Sequence, residues 1–213
     1  MSSENLSPAR LEAFSDGVIA VIITIMVLEL KVPAQDGPAG LRVVWPMLFL
    51  YLLTFVQVGI YWVNHHYLVD EVESVSHGIL WANLAFLFFL SLFPFVTLWI
   101  GTRGLTNFST ALYAVESVLP GLSYSVLWAA VRSRSRNPPH ATWGKQITSL
   151  SLYLGAIPVA FYSRGTSLAM ICVVSVMWLL PPRPDETGEG DSSQSAARAG
   201  APPNSAPPPA EKR

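Results

Sequence analysis

Residues 79–101 read ILWANLAFLFFLSLFPFVTLWIG, and this run decides the class of protein to which the chain belongs. It holds no charged side chain and is longer than the ~20 apolar residues with which a helix crosses a bilayer. Because lipid offers no hydrogen-bond partner to the backbone, such a run is stable in a membrane as a helix that satisfies its own peptide groups. The stretch therefore predicts an integral membrane protein built from α-helices.

Similar apolar runs recur along the chain and predict six transmembrane helices. They cover about residues 9–32, 41–67, 77–101, 109–131, 143–163 and 166–180. Pro94 should kink the third helix or end its regular part, because proline removes one backbone hydrogen bond. The composition agrees, since 51% of residues are hydrophobic and 13% are charged, against about 25% charged in soluble domains.

The first run also resembles a cleaved signal peptide, but Glu12 and Asp16 directly before it favour a membrane helix.

The composition changes at Pro181. Residues 181–213 are rich in Pro, Ala and Ser and almost lack large apolar side chains. Such a segment cannot bury enough surface to offset the entropy lost on ordering. We therefore predict a six-helix transmembrane domain over residues 1–180 and a disordered C-terminal tail over residues 181–213.

The distribution of basic residues predicts the orientation in the membrane. Six spans place both termini on one side. The segments on that side hold Arg10, Arg132, Arg134, Arg136, Lys145 and Arg183, and the opposite segments hold Lys31, Arg42, Arg103 and Arg164. Because basic residues accumulate on the cytoplasmic side, we expect a multi-pass protein of the cell membrane with cytoplasmic N- and C-termini.

Several function classes find no support in the sequence. It lacks a phosphate-binding glycine loop, a nucleophile elbow and a His/Cys/Glu set at metal-ligand spacing. We therefore predict no enzyme activity, no catalytic residue, no bound metal and no cofactor. The net charge of −1 does not indicate a nucleic-acid partner. The single cysteine, Cys172, excludes a disulfide within the chain. The TVGYG filter loop of familiar potassium channels is also absent.

Polar residues of the first apolar run are the first candidates for function. Charges near the middle of a span cost about 2.5–3.5 kcal/mol each on insertion scales. They therefore lie near its ends or face a partner or an aqueous path. Arg10 and Asp16 are six residues apart and point about 120° from each other on a helix, so they pair poorly within one helix. His65, His66 and Asn83 of other helices are more plausible partners. Adjacent His65 and His66 diverge by about 100° and do not easily chelate one metal together.

Two further features leave alternatives open. Glu116 lies inside the fourth span and could be a proton site or a packed, protonated carboxyl. Val21, Ile25 and Leu28 share one face of the first helix through their i, i+4, i+7 spacing. In a run that is apolar all round, this spacing fits lipid contact, helix packing or a pore lining.

The residues of three helices together resemble a known family. RLEAFSDGVIAVIITIMVLEL at Arg10–Leu30 is similar to the R-x-x-x-F-S-D-G signature of bacterial members of the endosomal/lysosomal potassium channel family. The segment 62–66 resembles the W-x-x-H-H element of that family. Asn83-Leu84 and the segment 94–97 resemble its N-L and P-F-x-T elements. The resemblance covers roughly residues 10–100.

The resemblance implies a homotetramer in the lipid bilayer, in which four copies of the first helix line a central pore that conducts potassium. It implies a hydrophobic constriction at Val21, with Ile25 and Leu28 further along the same face, and a pore-facing hydroxyl at Thr24. It also implies a packing and hydrogen-bond network that holds the pore helix. The network residues would be Arg10, Phe14, Ser15, Asp16, His65, His66 and Asn83.

The function predicted from the sequence is a potassium-selective channel, with potassium as the permeant ion. Two alternatives remain open on the residues. One is a proton-coupled transporter or proton-permeable protein that uses Glu116 or Asp16. The other is a membrane scaffold that does not conduct.

Overall fold

The computed structural model describes residues 7–135 and 143–180, and the regular structure within these residues is entirely α-helical. This confirms the predicted all-α class for that part of the chain; the predicted tail at residues 181–213 lies outside it. The helices in chain order are α1 (Pro8–Leu28), α2 (Gly37–Asp70), α3 (His77–Leu90), α4 (Phe93–Arg103), α5 (Asn107–Arg132), α6 (Trp143–Tyr162) and α7 (Arg164–Leu179).

Local sequence signals fix where the helices begin. Pro8 opens α1 at a position where its missing N–H is not needed. The Asp36 carboxylate accepts a hydrogen bond from the N–H of Gly37 at 2.8 Å and caps α2. Thr106 and Ser109 form a reciprocal capping box at the start of α5. These caps occupy backbone groups that would otherwise lack partners at the helix ends.

Four helical stretches among the described residues are long and apolar enough to cross a membrane: Pro8–Leu28, Gly37–Asp70, His77–Arg103 and Asn107–Arg132. They make the chain a multi-pass membrane protein. The fifth and sixth predicted spans correspond to α6 and α7, which are not among these four. α6 carries polar side chains in its first half, and α7 has 16 residues, or about 24 Å of helix.

The third predicted span contains a break at the expected place. α3 ends at Leu90, and α4 begins at Phe93 with Pro94 in its first turn. The Ser91 N–H donates to the Leu87 carbonyl at 2.9 Å, as in an α-helix, whereas the Leu92 N–H donates to the Phe89 carbonyl at 3.1 Å, so the backbone tightens to a turn of the 3₁₀ type. Because proline cannot donate to the preceding turn, the helix restarts here instead of continuing.

The core of the described subunit forms around α5, which contacts α3, α4, α6, α7 and α2. Small buried residues such as Ala111, Ala114 and Ser117 let neighbouring backbones approach closely. A buried hydrogen-bond chain ties three helices together at this level. The Tyr113 hydroxyl donates to Gln57 Oε1 at 2.8 Å and lies 2.9 Å from the Thr54 hydroxyl, and Gln57 Nε2 donates to the Tyr153 hydroxyl at 3.3 Å. α1 lies to one side, against α2, α3 and α4.

Candidate functional site

α1 has two different faces. One face is buried against α2, α3 and α4, and its residues recur every three or four positions. The buried residues are Leu11, Ser15, Ile19, Ile22 and Met26. This spacing is that of one side of an α-helix. Since both sides of α1 are equally apolar in composition, the packing determines which one faces the subunit core.

The opposite face of α1 is open within the subunit. Val21 is 53% exposed, Ile25 is 41% exposed and Leu28 is 79% exposed. These three residues are the ones that the resemblance assigns to a constriction. They lie on one continuous apolar strip, which runs from the middle of the helix to its C-terminal end. A strip of this kind requires lipid or another protein chain to cover it.

Thr24 lies on this open face between Val21 and Ile25. Its hydroxyl donates to the Val21 carbonyl at 3.0 Å. Because the only hydroxyl proton is used by the backbone, the exposed oxygen is left as a hydrogen-bond acceptor. Thr24 therefore presents an acceptor oxygen on an otherwise apolar strip.

A groove runs along the open face where α1 meets the break between α3 and α4. Its walls include Val21 and Ile25 from α1, and Ser91 and Pro94 from the break. The Ser91 hydroxyl donates to the Phe88 carbonyl at 2.7 Å, which leaves the groove mostly apolar.

The packed face of α1 is fixed by a buried chain of hydrogen bonds. The His65 ring nitrogen Nε2 lies 2.7 Å from Asn83 Oδ1. Asn83 Nδ2 donates to Ser15 Oγ at 2.9 Å, and the Ser15 hydroxyl donates to the Leu11 carbonyl at 2.9 Å. All three side chains are buried. This chain joins α2, α3 and α1 at one level.

The direction of this chain determines the form of His65. Asn83 uses its amide protons toward Ser15, so its oxygen must accept a proton from His65 Nε2. His65 is then the tautomer with the proton on Nε2, and its Nδ1 atom is a buried acceptor that has no hydrogen-bond partner among the described residues. The ring of Phe86 stacks on the imidazole at 5.6 Å. Both contacts hold the ring in place.

Two further links join α1 to α2 at the outer edge of their contact, beside the buried chain. The Trp62 indole N–H donates to Asp16 Oδ1 at 2.9 Å. One turn along α2, His66 Nδ1 lies 3.0 Å from Glu12 Oε1. The Trp62 and His66 rings also stack at 6.2 Å. Unlike the inner chain, this pair of links is reached by water, since the His66 side chain is 42% exposed.

The structure brings together five of the seven residues assigned to the network: Ser15, Asp16, His65, His66 and Asn83. It does not bring in Arg10 or Phe14. Both lie on the exposed side of α1, and Arg10 makes no ion pair within residues 7–135 and 143–180.

Two contact residues were absent from the predicted site, although a signal for each was present. Trp62 opens the W-x-x-H-H element and supplies the partner of Asp16. Glu12 lies one turn before Asp16 and supplies the partner of His66. Neither pairing follows from spacing, because the partners are on different helices.

Glu116 lies apart from this network. It is buried on α5, and its Oε1 atom has no hydrogen-bond partner among the described residues. It is neither on α1 nor among the residues that line the groove. The alternatives that its sequence position left open therefore concern a separate part of the subunit.

The sequence is similar to known membrane channels. A sequence model of the family described as "Endosomal/lysosomal potassium channel TMEM175" matches residues 10–94. A potassium channel of Chryseobacterium sp. (strain P1-3) is 38% identical over 182 residues, which make up 83% of this chain and 94% of that protein. The human endosomal/lysosomal proton channel TMEM175 is 30% identical over 103 residues, and this match covers 43% of the chain and 20% of the human protein.

A solved structure shares the fold. The crystal structure of a lysosomal potassium-selective channel TMEM175 homolog from Chamaesiphon minutus matches with a TM-score of 0.72 and 26% sequence identity. The match covers 85% of this chain and 98% of that one. The similarity to the Chryseobacterium protein extends over nearly the whole length of that protein. Together with the match to the family model, it shows that this chain belongs to the endosomal/lysosomal potassium channel TMEM175 family.

Proposed function

We propose that this chain is the subunit of a homotetrameric potassium-selective channel, in which four copies of α1 line a central pore. The observation that carries the proposal is the division of α1 into a packed face and an open apolar face. Membership of a channel family agrees with the prediction that the chain is not an enzyme. The names of the Chryseobacterium and Chamaesiphon relatives support potassium as the permeant ion.

Closed fourfold symmetry turns each residue of the open face into a ring. Val21, Ile25 and Leu28 would form successive apolar rings over about 10 Å of pore, at 1.5 Å per residue. A narrow apolar ring excludes water and can close a pore by dewetting. The groove beside the α3–α4 break supplies a surface against which the neighbouring subunit would pack.

Selectivity in such a pore would come from the removal of water from the ion. Potassium holds its hydration shell less strongly than sodium, so a constriction that strips water favours potassium. Thr24 supports this mechanism, because it places an exposed acceptor oxygen on the same open face as Val21 and Ile25. A ring of four such oxygens would replace part of the lost hydration without a filter loop.

The membrane topology of the proposed channel is six spans with cytoplasmic termini in the cell membrane. α6 and α7 complete the count of six. The shortness of α7 is compatible with a span, because the bilayer can thin locally around a short helix at modest cost. The excess of basic residues on the side of the termini supports the orientation.

The hydrogen-bond network would act as a support for the pore helix. Ser15, Asn83 and His65 hold α1 by its packed face, so that Val21 points toward the axis. None of these three side chains is exposed, so they would position the helix without contact with the ion.

Proton permeation is the second candidate function, and two observations favour it. The human relative is named a proton channel, and Glu116 is a buried carboxyl with an unpartnered oxygen. Its position on α5, outside the residues that line the groove beside α1, argues against a role in the proposed pore.

Cysteine cross-linking tests the position of α1 in the assembly. In a Cys172→Ser background, we expect Val21→Cys to give covalent dimers with a short bismaleimide, because symmetry-related copies of residue 21 face one another. Native mass spectrometry in detergent should give the mass of four chains. Val173→Cys on α7 is the matched control, since Val173 is 56% exposed. Dimers at residue 173 but not at residue 21 would place α1 against lipid and reject the proposal.

Val21→Asn tests the apolar constriction. The amide should wet the ring and lower the barrier for sodium more than that for potassium. We expect the potassium-to-sodium flux ratio in proteoliposomes to fall by roughly tenfold, which corresponds to ~1.4 kcal/mol of barrier difference. Val173→Asn places the same side chain on the exposed surface of α7 and should leave the ratio unchanged. An unaltered ratio in Val21→Asn would show that residue 21 does not line the pathway.

Asn83→Ala tests the support of α1. It removes the partners of both His65 and Ser15, and hydrogen bonds between membrane helices contribute about 0.6 kcal/mol on average and up to ~1.7 kcal/mol. We expect a lower melting temperature and a lower yield of the cross-link at residue 21, because α1 is free to rotate. Asn107→Ala, which removes a single exposed hydrogen bond to Phe161, is the control. An unchanged cross-link yield in Asn83→Ala would contradict the positioning role.

Glu116→Gln separates the two candidate functions. If the pore lies along α1, potassium flux should stay within about twofold of wild type, or ~0.4 kcal/mol in barrier. A transport cycle that depends on protonation of Glu116 should instead lose flux driven by a pH gradient. The measurement is paired potassium and proton flux in the same proteoliposomes, and loss of both would favour the proton-coupled alternative.

A further inference from the structure

Glu12, His66 and Asp70 form a cluster at the water-exposed end of the α1–α2 contact. His66 and Asp70 are one turn apart on the same face of α2, and His66 Nε2 lies 3.8 Å from Asp70 Oδ2. His66 Nδ1 lies 3.0 Å from Glu12 Oε1 on α1. One candidate ligand atom from each of the three side chains falls within 4.8 Å of the other two. The imidazole is therefore flanked by a carboxylate at each ring nitrogen.

With a neutral His66, one ring nitrogen of this cluster is an acceptor that faces a carboxylate. A neutral imidazole has one N–H and one lone pair. The N–H belongs on Nδ1, because the 3.0 Å distance to Glu12 is that of a hydrogen bond. The Nε2 lone pair then faces the Asp70 carboxylate across 3.8 Å, which is too long for a hydrogen bond. The His66 nitrogen and the Asp70 carboxylate are thus two electron-rich groups that lie next to each other.

The spacing suits a transition-metal ion. In a tetrahedral zinc site with bonds of about 2.0–2.1 Å, neighbouring ligand atoms lie about 3.3–3.5 Å apart. A small rotation of Asp70 would bring its oxygen and His66 Nε2 to that separation. A carboxylate hydrogen-bonded to the far nitrogen of a metal-binding histidine is also a common arrangement, because it fixes the ring and raises its basicity.

We propose that His66 and Asp70 bind a divalent transition-metal ion, with zinc as the best fit, and that Glu12 orients the His66 ring toward it. Histidine nitrogen and carboxylate oxygen together suit zinc, whereas magnesium and calcium take oxygen ligands. The partial exposure of all three side chains leaves the remaining coordination positions to water. The proposal replaces the sequence prediction of no bound metal. That prediction weighed His65 with His66, whereas the geometry joins His66 to α1 and to the end of α2.

The site has a consequence for the proposed channel. Glu12 is on α1, and metal binding at His66 Nε2 makes the Nδ1–H a stronger donor toward Glu12. A bound ion therefore tightens the contact between α1 and α2 near the pore helix's N-terminal end. This consequence rests on the proposed function, whereas binding itself does not.

Metal binding is measured on the full-length protein in detergent, after chelator treatment, by calorimetric titration with zinc chloride. We expect about one zinc ion per chain, and no comparable binding of magnesium chloride. Asp70→Asn keeps the shape of the side chain but removes its charge, and it should weaken zinc binding by at least about tenfold. Glu71→Gln, a neighbouring exposed acid outside the cluster, should bind zinc as the wild type does.

Two results would overturn the site: no zinc binding above the magnesium level, or equal affinity in the wild type and Asp70→Asn. Glu12→Gln separates the roles, because the amide oxygen still accepts from His66 Nδ1; it should weaken zinc binding less than Asp70→Asn. In proteoliposomes, zinc should change potassium flux in the wild type and leave flux in Asp70→Asn unaltered. Zinc that binds without any change in flux would reject the coupling to α1, and absence of potassium flux altogether would reject the proposed function alone.

Discussion

Asn83 accepts one hydrogen bond from His65 and donates another to Ser15, and the placement of α1 depends on this pair. The three side chains lie on three helices and are all buried. In an apolar environment, a separated amide, hydroxyl and imidazole would each lack a partner, and this penalty opposes any rotation of α1. The Trp62–Asp16 and His66–Glu12 links favour the same rotation at the outer edge of the contact. The network therefore decides which side of α1 is packed and which is open.

The open side follows from that choice. With Leu11, Ser15, Ile19, Ile22 and Met26 turned inward, the strip of Val21, Ile25 and Leu28 must point out of the subunit. Thr24 lies on the same side, and its bond to the Val21 carbonyl leaves its oxygen as an exposed acceptor. The hydrogen bonds on the packed face of α1 thus leave an apolar open face, on which Thr24 supplies a hydroxyl oxygen. In a symmetric assembly, this is the surface that four subunits would share around an axis.

Contacts between α1 and α2 change in character from the buried side of the helix pair to its outer edge. The His65–Asn83–Ser15 chain is dry, the Trp62–Asp16 bond lies at the surface, and the Glu12–His66 pair is partly open to water. Dry hydrogen bonds hold geometry, because they have no competing water. Water-exposed contacts, such as the Glu12–His66 pair, can exchange a proton or an ion with the solution. The same helix pair therefore combines a rigid support with an end where binding can occur.

The sequence by itself determined the membrane environment, the helical class and the break at Pro94. These depend on composition and on the chemistry of single residues, which act wherever they lie. It also supplied, through the motifs of three helices, most residues of the candidate site. Only the tertiary structure decided which partners meet: Asn83 joins Ser15 to His65, and Trp62 and Glu12 replace the expected Arg10 and Phe14. The physical reason is that hydropathy has no period in a helix that is apolar all round, so the rotation of α1 is set by contacts between residues on different helices.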